Sequence, residues 1–302
     1  MVEVARGLRF PEGPVAMSDG SVVLVEIARG TLSRVTGDGD VQVIAETGGG
    51  PNGAAVGPDG AIWVCNNGGF AWREVDGRVL PGPQPADYQG GSIQRVDLAT
   101  GAVETVYREC DGRPLRGPND LVFDSAGGFW FTDHGKTRER ERDRTGLFYA
   151  TVDGGSIREM VFPLEAPNGV ALSPDQDRVY VAETMTGRVF YWNLSGPGAI
   201  DPHPRSPHGG HLLAGLPGLQ LLDSMAVDAD GNVCVATIVN GGITVIAPDG
   251  EVLEHVPTDD PLTTNVCFGG PDLRTAYVTL SSTGRLVSME WPRPGLPLAF
   301  TA

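Results

Sequence analysis

No run of eighteen apolar residues occurs in the chain, so no membrane-spanning helix is expected. An amphipathic helical period of useful length is missing as well, which leaves strands as the main element. Cysteine is sparse: Cys65, Cys110, Cys234 and Cys267 are widely scattered, with no CxxC pairing. Cys65, Cys234 and Cys267 stand in strand-like apolar runs, where small buried thiols and a reduced, cytoplasmic setting are expected. The start, Met1-Val2-Glu3-Val4-Ala5-Arg6-Gly7, lacks the basic and then apolar pattern of a secretory signal. Basic residues are too few and too dispersed for a patch, and the net charge is −16. That balance excludes nucleic acid and anionic membranes as partners and would draw a cation. Gly-x-Ser-x-Gly elbows, phosphate-binding glycine loops and dinucleotide fingerprints are all absent.

Glycine (43 of 302 residues) and proline (24) are abundant, which suits many short strands joined by tight turns. One phrase recurs, beginning at Glu12-Gly13-Pro14, Pro51-Asn52-Gly53, Pro118-Asn119-Asp120, Pro167-Asn168-Gly169, Leu222-Asp223-Ser224 and Thr264-Asn265-Val266. Most copies run into an apolar stretch, an Asp/Gly turn and a second apolar stretch, as in Val56-Gly57-Pro58-Asp59-Gly60-Ala61-Ile62-Trp63-Val64. The residues in phase are Glu12, Asn52, Asn119, Asn168, Asp223 and Asn265, spaced by 40, 67, 49, 55 and 42. Periods of this length with four short strands each predict an all-β, six-bladed propeller with four-stranded blades. The strand-like segment Val2 to Ala5 would complete the last blade and remove an exposed sheet edge. The whole chain, 1–302, reads as one such domain.

Each residue in phase precedes an innermost strand, so all six should face the central channel at one mouth. Loops between second and third strands return to that mouth. In the second unit this loop is an insertion over about 66–90, carrying Phe70, Trp72 and Tyr88, and it reads as a wall or lid. In the third unit it runs from Asp133 through His134 to Arg144, with Lys136 to Arg144 expected as a solvated stretch of mixed charge.

Taken together, Glu12-Gly13-Pro14, Pro118-Asn119-Asp120-Leu121, Pro167-Asn168-Gly169-Val170, Asn240-Gly241-Gly242 and Thr264-Asn265-Val266-Cys267-Phe268-Gly269-Gly270-Pro271-Asp272 resemble the gluconolactonase family that includes senescence marker protein (regucalcin). The likeness runs from Glu12 to Thr279. It implies a six-bladed propeller with a divalent metal in the channel, and hydrolysis of sugar lactones. It also implies Glu12, Asn168 and Asp223 as metal ligands. Asn119 would be a fourth ligand, as in the diisopropyl fluorophosphatase relatives, or would serve substrate or water, as in the lactonases. Two departures stand out. Gly117 replaces the arginine that holds sugar hydroxyls in the lactonases, and Asn265 replaces the last-blade histidine of the fluorophosphatases.

The residue chemistry agrees with an oxygen-liganded cation. Two carboxylates and two amide oxygens suit a hard divalent ion, Ca2+ first and Mg2+, Mn2+ or Zn2+ as alternatives. Asp223 is either a ligand only or also a general base for water. Trp72, Tyr88, His134 and Asn265 are the candidates for contact with a small-molecule substrate, His134 by positioning it or shuttling a proton. The stretch His208-Gly209-Gly210-His211 reads as a surface loop, and Asp228-Ala229-Asp230-Gly231-Asn232 as a hairpin turn. The leading expectation is a metal-dependent lactonase. The alternatives are a phosphotriester or fluorophosphate hydrolase, or a non-catalytic propeller that binds a ligand or protein at its mouth.

Overall fold

The computed structural model describes residues 1–301, in which strands form throughout and no helix occurs. Six antiparallel sheets follow one another around an axis. Their innermost strands are Pro11–Ala16, Pro51–Val56, Pro118–Phe123, Pro167–Leu172, Leu221–Val227 and Thr263–Gly269. Five sheets have four strands; in the fourth blade Arg188–Gly196 pairs with both Ala199–Asp201 and His211–Gly215, giving five. The expected closure is present: Val2–Arg6 pairs with Arg285–Glu290 as the outermost strand of the sixth blade. The first and last segments of the propeller are thereby held in one sheet.

The core lies between blades, where the apolar faces of neighbouring sheets meet. Trp63 of the second blade meets Phe129 and Phe123 of the third, with ring centres at 5.3 Å and 6.0 Å. On the mouth side of the first four blades, the residue ending the second strand ties down the loop that enters its own inner strand. Glu26 accepts the Arg9 amide at 2.7 Å, Asn66 that of Gly50 at 2.9 Å, and Glu183 that of Glu165 at 2.8 Å. Asp133 accepts two amides, Arg116 and Gly117, both at 2.7 Å. These buried acceptors satisfy backbone donors that would otherwise be stranded at the mouth. At the far end of the channel the segment around Leu296–Phe300 crosses from blade five, where Leu296 donates to the Val227 carbonyl at 2.9 Å, to blade three, where Phe300 meets Phe123 at 5.8 Å.

Candidate functional site

Every inner strand breaks register at the residue in phase. The irregularities fall between Glu12 and Val15, Pro51 and Ala54, Pro118 and Leu121, Pro167 and Val170, Leu222 and Met225, and Thr263 and Asn265. A bulge re-aims a side chain that regular pleating would point at a neighbouring blade. Glycine follows in three of the six, because adjacent inner strands approach closely. A Cβ on Gly53 would meet the Asn119 carbonyl oxygen at 2.6 Å, and one on Gly169 would meet the Asp223 carbonyl oxygen at 2.8 Å. The six oxygen-bearing side chains at these irregularities are all buried, 8% exposed or less.

Within this ring Glu12 Oε2 accepts the Gly13 amide at 2.6 Å and the Asn265 amide at 2.7 Å. Its other oxygen, Oε1, is buried with no hydrogen-bond partner, and so is Asn119 Oδ1. Asn168 donates to Thr184 Oγ1 at 3.2 Å, and Ser224 Oγ approaches its Oδ1 at 3.5 Å. Burial pushes the Glu12 carboxyl up to about 7 and the Asp120 carboxyl up to about 8, the charge of Glu12 adding to the second shift. Burial, and then repulsion from Glu12, drives Asp223 well above the usual carboxylate range, with the Asn168 amide opposing. Three buried carboxylates therefore raise one another's proton affinity, Glu12 acting on Asp120 and on Asp223, without a cationic side chain among the groups that shift them. Stranded oxygens and crowded negative charge are what a bound hard cation would relieve, so the residues fit a divalent ion. Histidine, cysteine and carboxylate side chains alone form no metal-holding group of three among the described residues, so such a site draws on the asparagine oxygens.

Above the ring the insertion folds back as a hairpin, Trp72–Val75 with Arg78–Pro81. Trp72 packs on Phe10 at 5.1 Å, two residues before Glu12, and the Val79 amide donates to the Ser282 carbonyl at 2.9 Å. The hairpin thus reaches from blade two to blades one and six. On its other flank Lys136 is buried, contrary to the solvated loop expected from its charged neighbours. Its Nζ donates to the Gly69 carbonyl at 2.6 Å and Asn67 Oδ1 at 3.1 Å, and lies 4.3 Å from the centre of the Phe70 ring. Burial lowers this ammonium to about 7, with Asp133 and Asp143 opposing.

The sequence-chosen residues divide into groups. Glu12, Asn168 and Asp223 act on one another, Asn119 is buried at the matching step of the third blade, and the Asn265 amide holds Glu12, which makes it a support for that carboxylate. Trp72 belongs to the mouth. The Tyr88 hydroxyl is bound to the Arg116 carbonyl and clamps the insertion to blade three. His134 Nδ1 is buried without a partner, and burial with Arg142 and Lys136 nearby lowers its ring to about 3. The neutral imidazole is therefore the favoured form near pH 7, with a hydrogen bond to the Pro167 backbone opposing the shift. His203 and His211 lie together on blade four, where His211 stacks on Tyr191 at 4.7 Å. Asp228 Oδ1 accepts the Asn232 amide at 2.9 Å, closing the hairpin turn. Sequence reasoning passed over Asp120, although it stands where other repeats carry glycine, at Gly13, Gly53 and Gly169. Ser224 occupies the same place in the fifth repeat. Lys136 gave no sequence signal, since its neighbours are charged and only the folded insertion covers it.

The family described as SMP-30/Gluconolactonase/LRE-like region matches residues 10–282. The gluconolactonase of Zymomonas mobilis subsp. mobilis is 29% identical over 296 residues, covering 88% of this chain and 75% of that protein. The diisopropyl-fluorophosphatase of Loligo vulgaris is 28% identical over 207 residues, covering 64% and 63% respectively. A calcium-binding regucalcin structure from Agrobacterium tumefaciens superposes with a TM-score of 0.76 at 18% identity, covering 97% of this chain and 94% of that one. A gluconolactonase structure from Xanthomonas campestris gives 0.75 at 23%, covering 96% and 89%. At such identities the structural matches speak to the fold alone.

Proposed function

The chain belongs to the SMP-30/gluconolactonase/LRE-like family, and from that premise we propose that it is a divalent-metal-dependent hydrolase of lactones. The observation that supports this most is the pair of buried, unpartnered oxygens, Glu12 Oε1 and Asn119 Oδ1, in one ring with Asn168 and Asp223. Glu12, Asn168 and Asp223 would hold the ion, Asn119 would complete its shell or orient water, and Ca2+ is our first choice. A bound divalent cation supplies Lewis acidity toward a carbonyl oxygen and acidifies water.

The protein's part is to bind, orient and move a proton. Asp223, whose burial raises its proton affinity, accepts the proton of the attacking water. As the water oxygen bonds to the carbonyl carbon, the ring C–O bond breaks and the proton passes to the leaving alkoxide, giving a hydroxy acid. Asn265 keeps Glu12 oriented through its amide. Trp72 and the rest of the insertion act as a wall over the mouth, and neutral His134 positions the substrate. Four unpaired thiols accord with the reducing, cytoplasmic setting we expect. No helix among the described residues is long and apolar enough to cross a membrane.

The test is a lactone hydrolysis screen with and without chelator, with metal content measured on the same preparation. Turnover lost on chelation and restored by a divalent cation supports the reading; an ion-loaded protein inert to every lactone refutes it. The likeness to the Loligo vulgaris diisopropyl-fluorophosphatase favours one second reading, a phosphotriester or fluorophosphate hydrolase using the same ring. Assaying both ester classes separates the two.

A further inference from the structure

The insertion over about 66–90 is tied to the propeller in two places. On one side the Val79 amide donates to the Ser282 carbonyl at 2.9 Å, and Arg9 pairs with Glu74 at 2.7 Å. On the other, the Gln84 amide donates to the Thr137 carbonyl at 2.8 Å, and Arg138 donates to Gln84 Oε1 at 3.2 Å. Lys136 adds a tie of another kind. It is 1% exposed, with its Nζ 4.3 Å from the centre of the Phe70 ring and 5.6 Å from that of Tyr88. Both rings belong to the insertion, so the insertion has to lift before this side chain meets water.

The partners of Nζ are two neutral oxygens of the insertion, the Gly69 carbonyl at 2.6 Å and Asn67 Oδ1 at 3.1 Å. The carboxylates that attract it are engaged elsewhere. Asp133 accepts the amides of Arg116, Gly117 and Gly135, and Asp143 holds Arg138 and the Lys136 amide. A buried ammonium held only by neutral groups costs free energy that the neutral amine does not, while the amine still donates to both oxygens. Burial accordingly lowers Lys136 from 10.5 to about 7. Its titratable neighbours change charge outside that range: burial pushes Tyr88 up to about 12 and His134 down to about 3. We propose that Lys136 is a pH-dependent latch, holding the insertion closed over the mouth in alkaline solution and releasing it as pH falls toward neutrality. Between pH 7 and 10.5 the closed form holds fewer protons than the open one, so closure strengthens as pH rises and is weakest below about 7. For one group with these two values, the open population is about 50-fold larger at pH 7 than at pH 9.

The test is limited trypsin digestion of the whole chain at pH 7 and pH 9, with cleavage after Arg73 and Arg78 of the insertion followed by mass spectrometry. Rates are divided by those for an unstructured peptide carrying the same two sites. Cleavage of a segment that opens and recloses quickly follows its open population. The expected result is a corrected rate about 50-fold higher at pH 7 than at pH 9 in the parent, and a ratio near one in Lys136→Met. Asn67→Asp is the second variant. Asn67 Nδ2 has no hydrogen-bond partner, so exchanging it for oxygen loses no bond and gives the ammonium a carboxylate partner. That protein should be cut about tenfold or more slowly than its parent at pH 7. Equal corrected rates at the two pH values in the parent, the parent's ratio persisting in Lys136→Met, or unchanged cleavage of Asn67→Asp would each overturn the proposal. Turnover takes no part in this readout, so the latch and the lactone reading fail separately.

Discussion

Gly169→Ala tests the claim that close approach of the inner strands builds the ring. The added Cβ would lie 2.8 Å from the Asp223 carbonyl oxygen, 2.8 Å from the Met225 nitrogen and 2.9 Å from the Ser224 carbonyl carbon. All three are backbone atoms of the next blade, so no rotamer change can relieve the clash. Carbon packs comfortably at about 3.5 Å or more, which requires the strands to part by roughly 0.7 Å. Overpacking of this kind costs about 1–3 kcal/mol. Gly169 has no left-handed backbone requirement, so the loss is steric. For a chain of this size it lowers the melting temperature by about 2 °C for each kcal/mol. Activity should fall further than stability suggests, because Asn168 and Asp223 stand on the two strands forced apart, and misplacement by about 1 Å can reduce turnover 100-fold. The control is Gly37→Ala, which meets nothing within 4 Å and should leave both readouts unchanged. Thermal melts and initial rates decide it; a Gly169→Ala protein that melts and turns over like its parent refutes the steric account.

Asp223→Asn should reduce lactone turnover by about 100-fold or more while circular dichroism stays unchanged, since it removes a proton acceptor and a negative charge without altering shape. Replacing Asn265 with Ala withdraws the 2.7 Å amide bond to Glu12 and should weaken Ca2+ binding by about tenfold, read by titration calorimetry. The last prediction concerns Lys136, whose folded ammonium titrates near 7 against an ordinary value of 10.5. Between those values the unfolded chain holds more protons than the folded one, so stability rises with pH across that window and the benefit is absent below about 7. Relative to Lys136→Met, the parent should gain roughly 2 kcal/mol between about pH 7 and 9, measured by urea midpoints. Parallel profiles would show that burial leaves this ammonium unperturbed.

Much of this protein was legible in the sequence because a propeller repeats itself. The six phrases, the Asp/Gly hairpin turns and the apolar runs are local signals, and their phase alone placed Glu12, Asn119, Asn168 and Asp223 at one level of one channel. The closing strand was legible for the same reason, since Val2 to Ala5 reads as a strand with no blade of its own, and the fold pairs Val2–Arg6 there. Other features depended on what the chain meets after folding. The amide bond from Asn265 to Glu12 joins residues 253 positions apart in sequence. Tyr88 and Lys136 became clamps only once the insertion lay across blade three. Asp120 and His134 take their altered proton affinities mainly from burial, a property of the closed fold. Periodicity is written in the order of residues, so the sequence determined the architecture and the set of ring oxygens. Burial, pairing and charge coupling arise between distant segments, so only the tertiary structure decided which oxygens are left without partners and which side chains hold the mouth together.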